Sequence, residues 1–395
     1  MTAPLLLDLS HTCHTRARTG IQRVARALWR ELGAGALAVT WDPFARRWRP
    51  LAGWERANLG ATEPGARRGA RWPLRARWAS RLSRWGRPLP PPPAGAALLV
   101  PEIFPAAVGA ALPALFGAAA GPRIALFHDA IALQYPEHAP AATVARFPAY
   151  LGELLQFDGV AAVSEDSRRV LVDYWRWLGA SSPPPVLALP LALDPPGEVR
   201  AQAAPPGEVP MVLCVGTIEG RKNHLALLEA AERLWQSGRS FELRLIGLAQ
   251  PETGAPALRR IGQLQRAGRP LRYDGPAGEA ALEAAYAQAS FTVYPSLQEG
   301  FGLPVGESLL RGKPCICSAR GALGEIARGG GCLALEAVDV PSLEAACGRL
   351  LTDPAERGRL AAAAAQRRFP PWSEYAARLR AWMLTLPRRP AAGPI

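Results

Sequence analysis

Two glutamates eight residues apart, Glu299 and Glu307, bracket the stretch of this 395-residue chain whose residue types and spacing are best suited to chemistry. The segment reads Tyr294-Pro-Ser-Leu-Gln-Glu-Gly-Phe-Gly-Leu-Pro-Val-Gly-Glu307. An apolar strand over Phe291–Tyr294 should run into a loop holding Glu299, Gly300, Phe301, Gly302 and Leu303, with a helix opening near Pro304. Proline is tolerated in a first helical turn because its missing N–H would be unpaired there anyway. Two glycines just before a helix let the backbone pass close to a ligand and aim free N–H groups at an anion. One carboxylate then sits on the loop and the other on the helix, with an anion-binding turn between them. That arrangement suits a ligand with phosphate in its middle and hydroxyl-rich groups at both ends, as in a nucleotide-sugar. The alternative for Glu307 alone is a carboxylate that complements the helix dipole.

A second group lies in Val215-Gly-Thr-Ile-Glu-Gly-Arg-Lys-Asn223, between a strand over Met211–Val215 and a helix beginning at His224. Arg221 and Lys222 at a helix N-terminus oppose its dipole, so a purely structural role explains them poorly; they add fixed charge to an anion site. Lys222 and Lys313 are the only lysines in a chain whose other basic side chains are all arginine. His128 closes the strand Ile124–Phe127 at its carboxyl end, where ligands gather in open α/β sheets; a structural histidine is the alternative. Gly20, in Thr19-Gly-Ile between a strand over Leu5–Leu9 and a helix, permits close approach of an anion, against the alternative of an ordinary turn.

The elements that must position these residues alternate along the chain. Expected strands include Leu5–Leu9, Ala97–Val100, Ile124–Phe127, Val160–Val163 and Val186–Leu189, then Met211–Val215, Glu242–Ile246, Phe291–Tyr294, Pro314–Cys317 and Cys332–Leu335. Helical patterns separate them, among them Gly20–Leu32, Ser164–Leu178, His224–Ser237, Glu279–Ala289 and Val305–Arg311. Apolar strands alternating with helices imply parallel sheets covered on both faces. The Pro/Gly-rich stretch 194–208 has few core-forming residues and reads as a linker. The expected organisation is a first domain over 1–193, with an Arg/Trp-rich insertion at about 46–93, a second domain over 209–370, and a final helix and tail over 371–395.

At 49% hydrophobic and 20% charged residues, with a net charge of +13, the composition is that of a globular chain and excludes wholesale disorder. Six cysteines without a C-x-x-C pair read as buried free thiols in a reducing compartment. No Asp-x-Asp occurs and no Cys/His cluster suggests zinc, so no metal site is expected. Gly33-Ala-Gly-Ala-Leu-Ala38 mimics a dinucleotide fingerprint but follows a helix when it should follow a strand. The N-terminus lacks a basic n-region and reads as a strand, not a signal peptide. The charge-free stretch 103–122 carries Pro105 and Pro113 and is mostly Ala and Gly, which argues against a membrane span. A cytoplasmic protein is expected.

Glu299-Gly-Phe-Gly-Leu-Pro-x-x-Glu307 resembles the E-x7-E signature of retaining family 4 (group 1) glycosyltransferases of the GT-B fold. The likeness extends over nearly the whole chain, through Thr19-Gly-Ile-Gln-Arg-Val24, His128-Asp129, Val163-Ser-Glu-Asp-Ser-Arg168, Val215–Asn223 and Trp372. It implies two Rossmann-like α/β domains whose parallel sheets face each other across a cleft, with a final helix that can cross back to the first domain. It also implies metal-independent hexosyl transfer with retention, the nucleotide-diphosphate sugar being a co-substrate and no cofactor being needed. By the same resemblance Lys222 grips the donor diphosphate and His128 touches the donor sugar near the reaction centre. Glu307 then holds the ribose, Glu299 the sugar ring, and Gly20 approaches the diphosphate. Where many members carry an arginine after the glycine equivalent to Gly216, this chain has Thr217, and Arg221 can compensate. The acceptor implied is a glycan or glycolipid of surface-polysaccharide assembly.

The segment Arg46–Arg87 is dense in Arg and Trp, a composition that suits an anionic membrane surface and, less well, nucleic acid. A solvated basic insertion is the plainer alternative. Two rival classes are a non-catalytic nucleotide-sugar-binding scaffold and a basic surface-binding protein built around this segment.

Overall fold

The computed structural model describes residues 5–61, 63, 65, 69–82, 95–194 and 209–390. The expected linker beyond 194, the prolines at 90–93, and Arg67, Arg68, Arg84, Trp85 and Arg87 lie outside the described residues. The chain divides into two compact units. One comprises Met1–Ala130, Ala142–Leu191 and Trp372–Ile395, the other Ile131–Ala141 and Ala192–Pro371.

The first unit is built on a seven-stranded sheet. Its strands are β1 (Leu5–Asp8), β2 (Ala36–Asp42), β3 (Arg47–Pro50), β4 (Ala97–Val100), β5 (Arg123–Phe127), β6 (Gly159–Ala162) and β7 (Val186–Ala188). Their spatial order is β3-β2-β1-β4-β5-β6-β7, and every pairing is parallel except β2 with β3. The strands β1, β4, β5 and β6 are buried along their whole length, as continuous apolar runs require when helices cover both faces. The final helix, Trp372–Thr385, packs in this unit beside the helix Gly20–Leu32. Gly159 makes room for it: a Cβ there would come within 2.6 Å of Leu386. Asp158 holds the following turn, accepting from the Arg123 guanidinium at 2.9 and 2.7 Å and from the Arg389 backbone N–H at 2.6 Å.

The second unit carries six parallel strands: β8 (Met211–Val215), β9 (Glu242–Ile246), β10 (Leu271–Tyr273), β11 (Phe291–Tyr294), β12 (Cys315–Ser318) and β13 (Cys332–Leu335), in the order β10-β9-β8-β11-β12-β13. One core packs β8, β9 and β11 against the helices His224–Gln236, Ala255–Arg266 and Val340–Thr352 through Leu227, Leu234, Leu243, Leu245, Ile261, Leu343 and Leu350. Residues 131–141, and 192–193, expected on sequence grounds to go with the first 193 residues, pack here instead. The His138 ring abuts Gly220, where a Cβ would lie 2.7 Å from Nδ1, and the Leu193 side chain fills the space beside Gly306. In both sheets the strand order reverses at one place, between β1 and β4 and between β8 and β11. Crossovers leave those neighbours toward opposite faces, so the crevice at their carboxyl ends stays open for a ligand.

The structure departs from the sequence reading in the Arg/Trp-rich segment. Its first part is no loose basic insertion: β3 pairs antiparallel with the preceding β2, setting Trp48 against Trp41 and Arg47 against Asp42 around a left-handed Arg46. Trp48, expected at a membrane interface, is 5% exposed and donates its indole N–H to the Ala111 carbonyl at 2.8 Å. Trp72 is half-buried against His14 and Trp54, with ring centroids 4.5 and 5.5 Å away. Arg49 is engaged by Asp42 and Glu55 at 2.8 and 2.7 Å. Of the tryptophans expected at the interface, only Trp78 among the described residues is exposed, on the helix Leu74–Leu82.

The thiols follow the sequence reading. All six cysteines are free, and Cys332 is half-buried while the rest are buried. The sulfurs of Cys315, Cys317 and Cys332 lie within 4.8 Å of one another. No described helix is long and apolar enough to cross a membrane; the stretch 103–122 instead contains the short helices Ala106–Gly109 and Leu112–Ala118.

Gly247 sets the spacing of the β8 and β9 ends, since a Cβ on it would lie 1.8 Å from the Gly216 carbonyl oxygen. Gly247→Ala should cost about 2–3 kcal/mol, because only backbone can move to relieve the clash. Gly358→Ala, in the helix Pro354–Ala365 with nothing within 4 Å, should stabilise by up to about 1 kcal/mol through helix propensity. Urea denaturation followed by far-UV circular dichroism checks both signs.

Candidate active site

The open crevice of the second sheet collects the charged residues singled out in the sequence. Beyond β8 the chain runs through Gly216 into a tight turn, Gly220–Lys222, and then into the helix His224–Gln236. Asn223 makes that turn possible: its backbone is left-handed (φ 55°), a region asparagine tolerates better than most residues, and its side-chain amide donates to the Val338 carbonyl at 2.7 Å. The loop after β11 is tied to the same turn, because the Leu297 N–H donates to the Arg221 carbonyl at 2.9 Å.

Arg221, Lys222 and Glu299 therefore converge. The Arg221 guanidinium meets Glu299 Oε2 and Glu219 Oε1 at 2.8 Å each, and donates to the Gln298 carbonyl at 3.2 Å. Lys222 Nζ pairs with Glu299 Oε1, and its stem lies over Gly216, whose Cβ position is 3.9 Å from Lys222 Cε. Burial by itself would raise the Glu299 carboxyl; the charges of Arg221 and Lys222, with hydrogen bonds from Lys222 and Ser296, reverse this and hold it at about 2. His224 sits just behind, fully enclosed, with neither ring nitrogen hydrogen-bonded to protein. Burial, with the Lys222 charge, pushes its pKa down to about 3, so the imidazole is neutral at ordinary pH.

Glu307 occupies a different part of the same unit. Gly302 caps the helix Leu303–Leu310 with φ +104°, a left-handed backbone that favours glycine, and it packs against Leu323 where a Cβ would come within 2.6 Å. Phe301 and Leu303 are buried, so their side chains anchor the loop while the backbone between Gly300 and Leu303 follows the helix entrance. The Glu307 carboxylate accepts from the Tyr286 hydroxyl at 3.4 Å, and Tyr286 meets the Tyr294 hydroxyl at 3.1 Å. Arg311 donates to the Glu307 carbonyl at 2.9 Å and lies 4.7 Å over the Tyr286 ring. Tyr286, Arg311, Glu219, Ser296 and His224 were not singled out from the sequence. Only Arg311 had a visible signal there, standing four residues beyond Glu307 on one helix face.

His128 and Gly20 belong to the first unit. His128 follows β5 and is buried; its Nε2 lies 2.8 Å from the Pro101 carbonyl oxygen and its own carbonyl accepts from the Ser167 hydroxyl at 2.8 Å. Burial lowers its pKa despite the opposing charges of Asp129 and Glu102. With Nε2–H donated to Pro101, Nδ1 is the free acceptor of the neutral ring. Gly20 opens the helix Gly20–Leu32 behind Thr19, whose backbone N–H donates to Gln22 Oε1 at 3.0 Å in a capping box. The buried Arg26 guanidinium holds the preceding loop through the Thr15 and Ala17 carbonyls at 2.7 and 2.8 Å. Two acidic residues unnoticed in the sequence stand at the same strand ends. Glu102 accepts from the His11 and Thr12 backbone N–H groups at 3.0 and 2.9 Å. Asp8 is pushed up to about 7 by burial, with the charge of Glu102 adding to it. Their signal was an acidic residue at or just past the carboxyl end of an apolar strand.

Fixed guanidinium and ammonium groups at a switch point, beside a helix entrance, could receive an anion in exchange for their present carboxylate partners, and carboxylates can accept from hydroxyls. Among the described residues, the two clusters that gather three metal-ligand atoms, Cys315/Cys317/Cys332 and Cys13/His14/Glu55, include neither Glu299 nor Glu307.

Comparison with known proteins shows what the chain is similar to. Residues 209–353 match the model of the group 1 glycosyl transferases. The serotype-specific mannosyltransferase WbdA of Escherichia coli is 27% identical over 335 residues, covering 80% of this chain but only 38% of WbdA. The chain thus spans about four-tenths of that relative's length. The MMP α-(1→4)-mannosyltransferase of Mycolicibacterium hassiacum is 37% identical over 136 residues, 34% of this chain and 32% of that protein. Among solved structures, Anabaena HepE in complex with UDP and glucose superposes with a TM-score of 0.68 at 14% identity, covering 97% of this chain and 100% of HepE. Sucrose-phosphate synthase from Thermosynechococcus elongatus gives 0.65 at 19% identity, covering 96% and 98%. At such identities the structural likeness speaks for the fold alone. The architecture is that of the GT-B fold, residues 209–353 of the second unit are similar to the group 1 glycosyl transferases, and the wider match is to the mannosyltransferase relatives.

Proposed function

We propose that the protein transfers a hexosyl or deoxyhexosyl group from a nucleotide-diphosphate sugar to a glycan or lipid-linked acceptor, with retention of anomeric configuration and without a metal. The observation that carries this reading is the convergence of Arg221, Lys222 and Glu299 at the reversal between β8 and β11. The names of the relatives matched over 80% of this chain, serotype-specific mannosyltransferases, support a hexose such as mannose and an acceptor in polysaccharide assembly.

In this reading Arg221 and Lys222 receive the donor diphosphate. Leaving-group departure places negative charge on a phosphate oxygen while positive charge builds at the anomeric carbon, and cations already fixed in position stabilise that oxyanion without reorganising. Glu299 holds both cations at the correct spacing and accepts hydroxyls of the sugar. The helix entrance at Gly300–Leu303 adds its positive dipole end, and Glu307, steadied by Tyr286 and Arg311, accepts the ribose hydroxyls. His128, with Nδ1 free to accept, and Gly20 serve from the first unit, which takes the acceptor. Cytoplasmic work at an anionic membrane surface completes the proposal.

A donor-hydrolysis assay over a panel of nucleotide-sugars separates this enzyme from a binding scaffold, which would be stabilised thermally by a donor yet not turn it over. Lys222→Ala removes a charged hydrogen bond worth about 1.5–3 kcal/mol, so kcat/KM should fall roughly 10- to 150-fold. Wild-type kinetics in that variant would end the assignment. Glu307→Gln should chiefly weaken nucleoside-diphosphate affinity and Glu299→Gln chiefly turnover; calorimetry showing equal loss of affinity in both would refute the division of roles. Activity should persist in excess EDTA, and a loss restored by Mg²⁺ or Mn²⁺ would count against metal-independent transfer.

A further inference from the structure

The helix Leu74–Leu82 inverts the usual polarity of a surface helix. Its inner face is Ser80, which is buried and hydrogen-bonds the Asp42 carboxylate, with half-buried Ala76 beside it. The opposite face carries Leu74, Trp78 and Leu82, which are 70%, 62% and 79% exposed. At about 100° per residue, positions spaced by four form one stripe, and this stripe is centred roughly opposite Ser80. Arg77 and Arg81 fall along one edge and Arg75 along the other, all exposed. Arg77 and Arg81 lie 5.9 and 5.6 Å over the Phe44 ring, and Arg81 also lies 5.7 Å over Trp78. No carboxylate stands in this part of the sequence: between Glu63 and Glu102 there are eight arginines and no Asp or Glu.

We infer that Leu74–Leu82 is an in-plane anchor for an anionic lipid surface. Ordinary solvation explains exposed arginines but not three large apolar side chains aligned on the outer face of one helix. A protein partner would need acidic groups around an apolar groove. A lipid surface supplies both halves at once, phosphates at the depth of the guanidinium groups and acyl chains beneath them, and tryptophan favours that boundary. Nucleic acid would pair with the arginines and leave Leu74 and Leu82 in water. The anchor is therefore narrower than the whole Arg/Trp-rich segment, whose Trp48, Trp72 and Arg49 are spent on internal packing. This deepens the reading of a membrane-borne acceptor and rests on it for its purpose; vesicle binding itself needs neither donor nor turnover, so the two fail separately.

The test is co-sedimentation of the full chain with vesicles of phosphatidylcholine alone or mixed with phosphatidylglycerol, with brominated lipid to quench tryptophan. Binding to the anionic vesicles with quenching is expected. L74S/W78S/L82S should lower the partition coefficient by about tenfold or more at constant salt, since each buried apolar side chain contributes to insertion. R75E/R77E/R81E should abolish binding and with it the salt dependence, which for exposed charges acts over a Debye length of about 8 Å at physiological ionic strength. Both variants should keep the wild-type melting temperature and donor hydrolysis. Equal vesicle binding by L74S/W78S/L82S and wild type, or no wild-type binding, would overturn the anchor. So would oligonucleotide binding insensitive to the three apolar changes, or a wild-type dimer that L74S/W78S/L82S converts to monomer without any affinity for vesicles.

Discussion

A carboxylate removed from water at Glu299 is tolerable only because two cations reach it, and much of the second unit is arranged to let them. An isolated buried carboxylate would take up a proton instead of staying charged. Arg221 and Lys222 prevent that from the other side of the β8–β11 crevice, and the cost of packing three charges together is offset by short, charge-assisted contacts and by the carbonyl of Gln298. The backbone devices nearby serve the same end. Left-handed Asn223 turns the chain so that Arg221 and Lys222 precede the helix, and Gly247 lets β9 close on β8.

The same network is ordered in advance. Cations held by a carboxylate are already fixed, so little side-chain entropy would be lost were an anion to compete for them. A neutral, enclosed His224 lies behind them and adds no further positive charge. Glu307 is supported separately, through Tyr286, Tyr294 and Arg311, so that changes at one end of the site need not disturb the other.

Arginine is so abundant in this chain that its presence alone carries little meaning, and the surroundings of each one decide its use. Arg26 is buried and closes a loop through two carbonyls; Arg123 forks onto Asp158 and fastens the C-terminal tail; Arg49 links Asp42 and Glu55 under Trp72. Arg75, Arg77 and Arg81 differ from these in facing outward beside an exposed apolar stripe. Identical side chains thus divide into enclosed clamps and an outward surface field, the latter including an Arg77 that donates to the Trp72 carbonyl at 3.2 Å.

Local pattern was enough to place most of the second unit's strands. Met211–Val215 and Phe291–Tyr294 were legible as strands with their observed ends because strands buried almost throughout read as continuous apolar runs, and Glu242–Ile246 because its buried residues alternate with Glu242 and Arg244. The glycines and charges of 216–223 and 299–307 were legible because their local backbone demands are unusual. Short or half-exposed strands were not: β10 includes an exposed Arg272, and β2–β3 lies inside a composition that resembles a solvated insertion. The meeting of Arg221 with Glu299, 78 residues apart, the support of Glu307 by Tyr286, and the inward use of Trp48 depend on contacts between distant parts of the chain. Sequence by itself determined which residues had to lie at strand ends and helix entrances, since periodicity and turn chemistry are local. Which of those ends share a crevice, and which aromatic and basic side chains face water, only the tertiary structure decided, because strand order and burial are properties of packing between segments far apart in sequence.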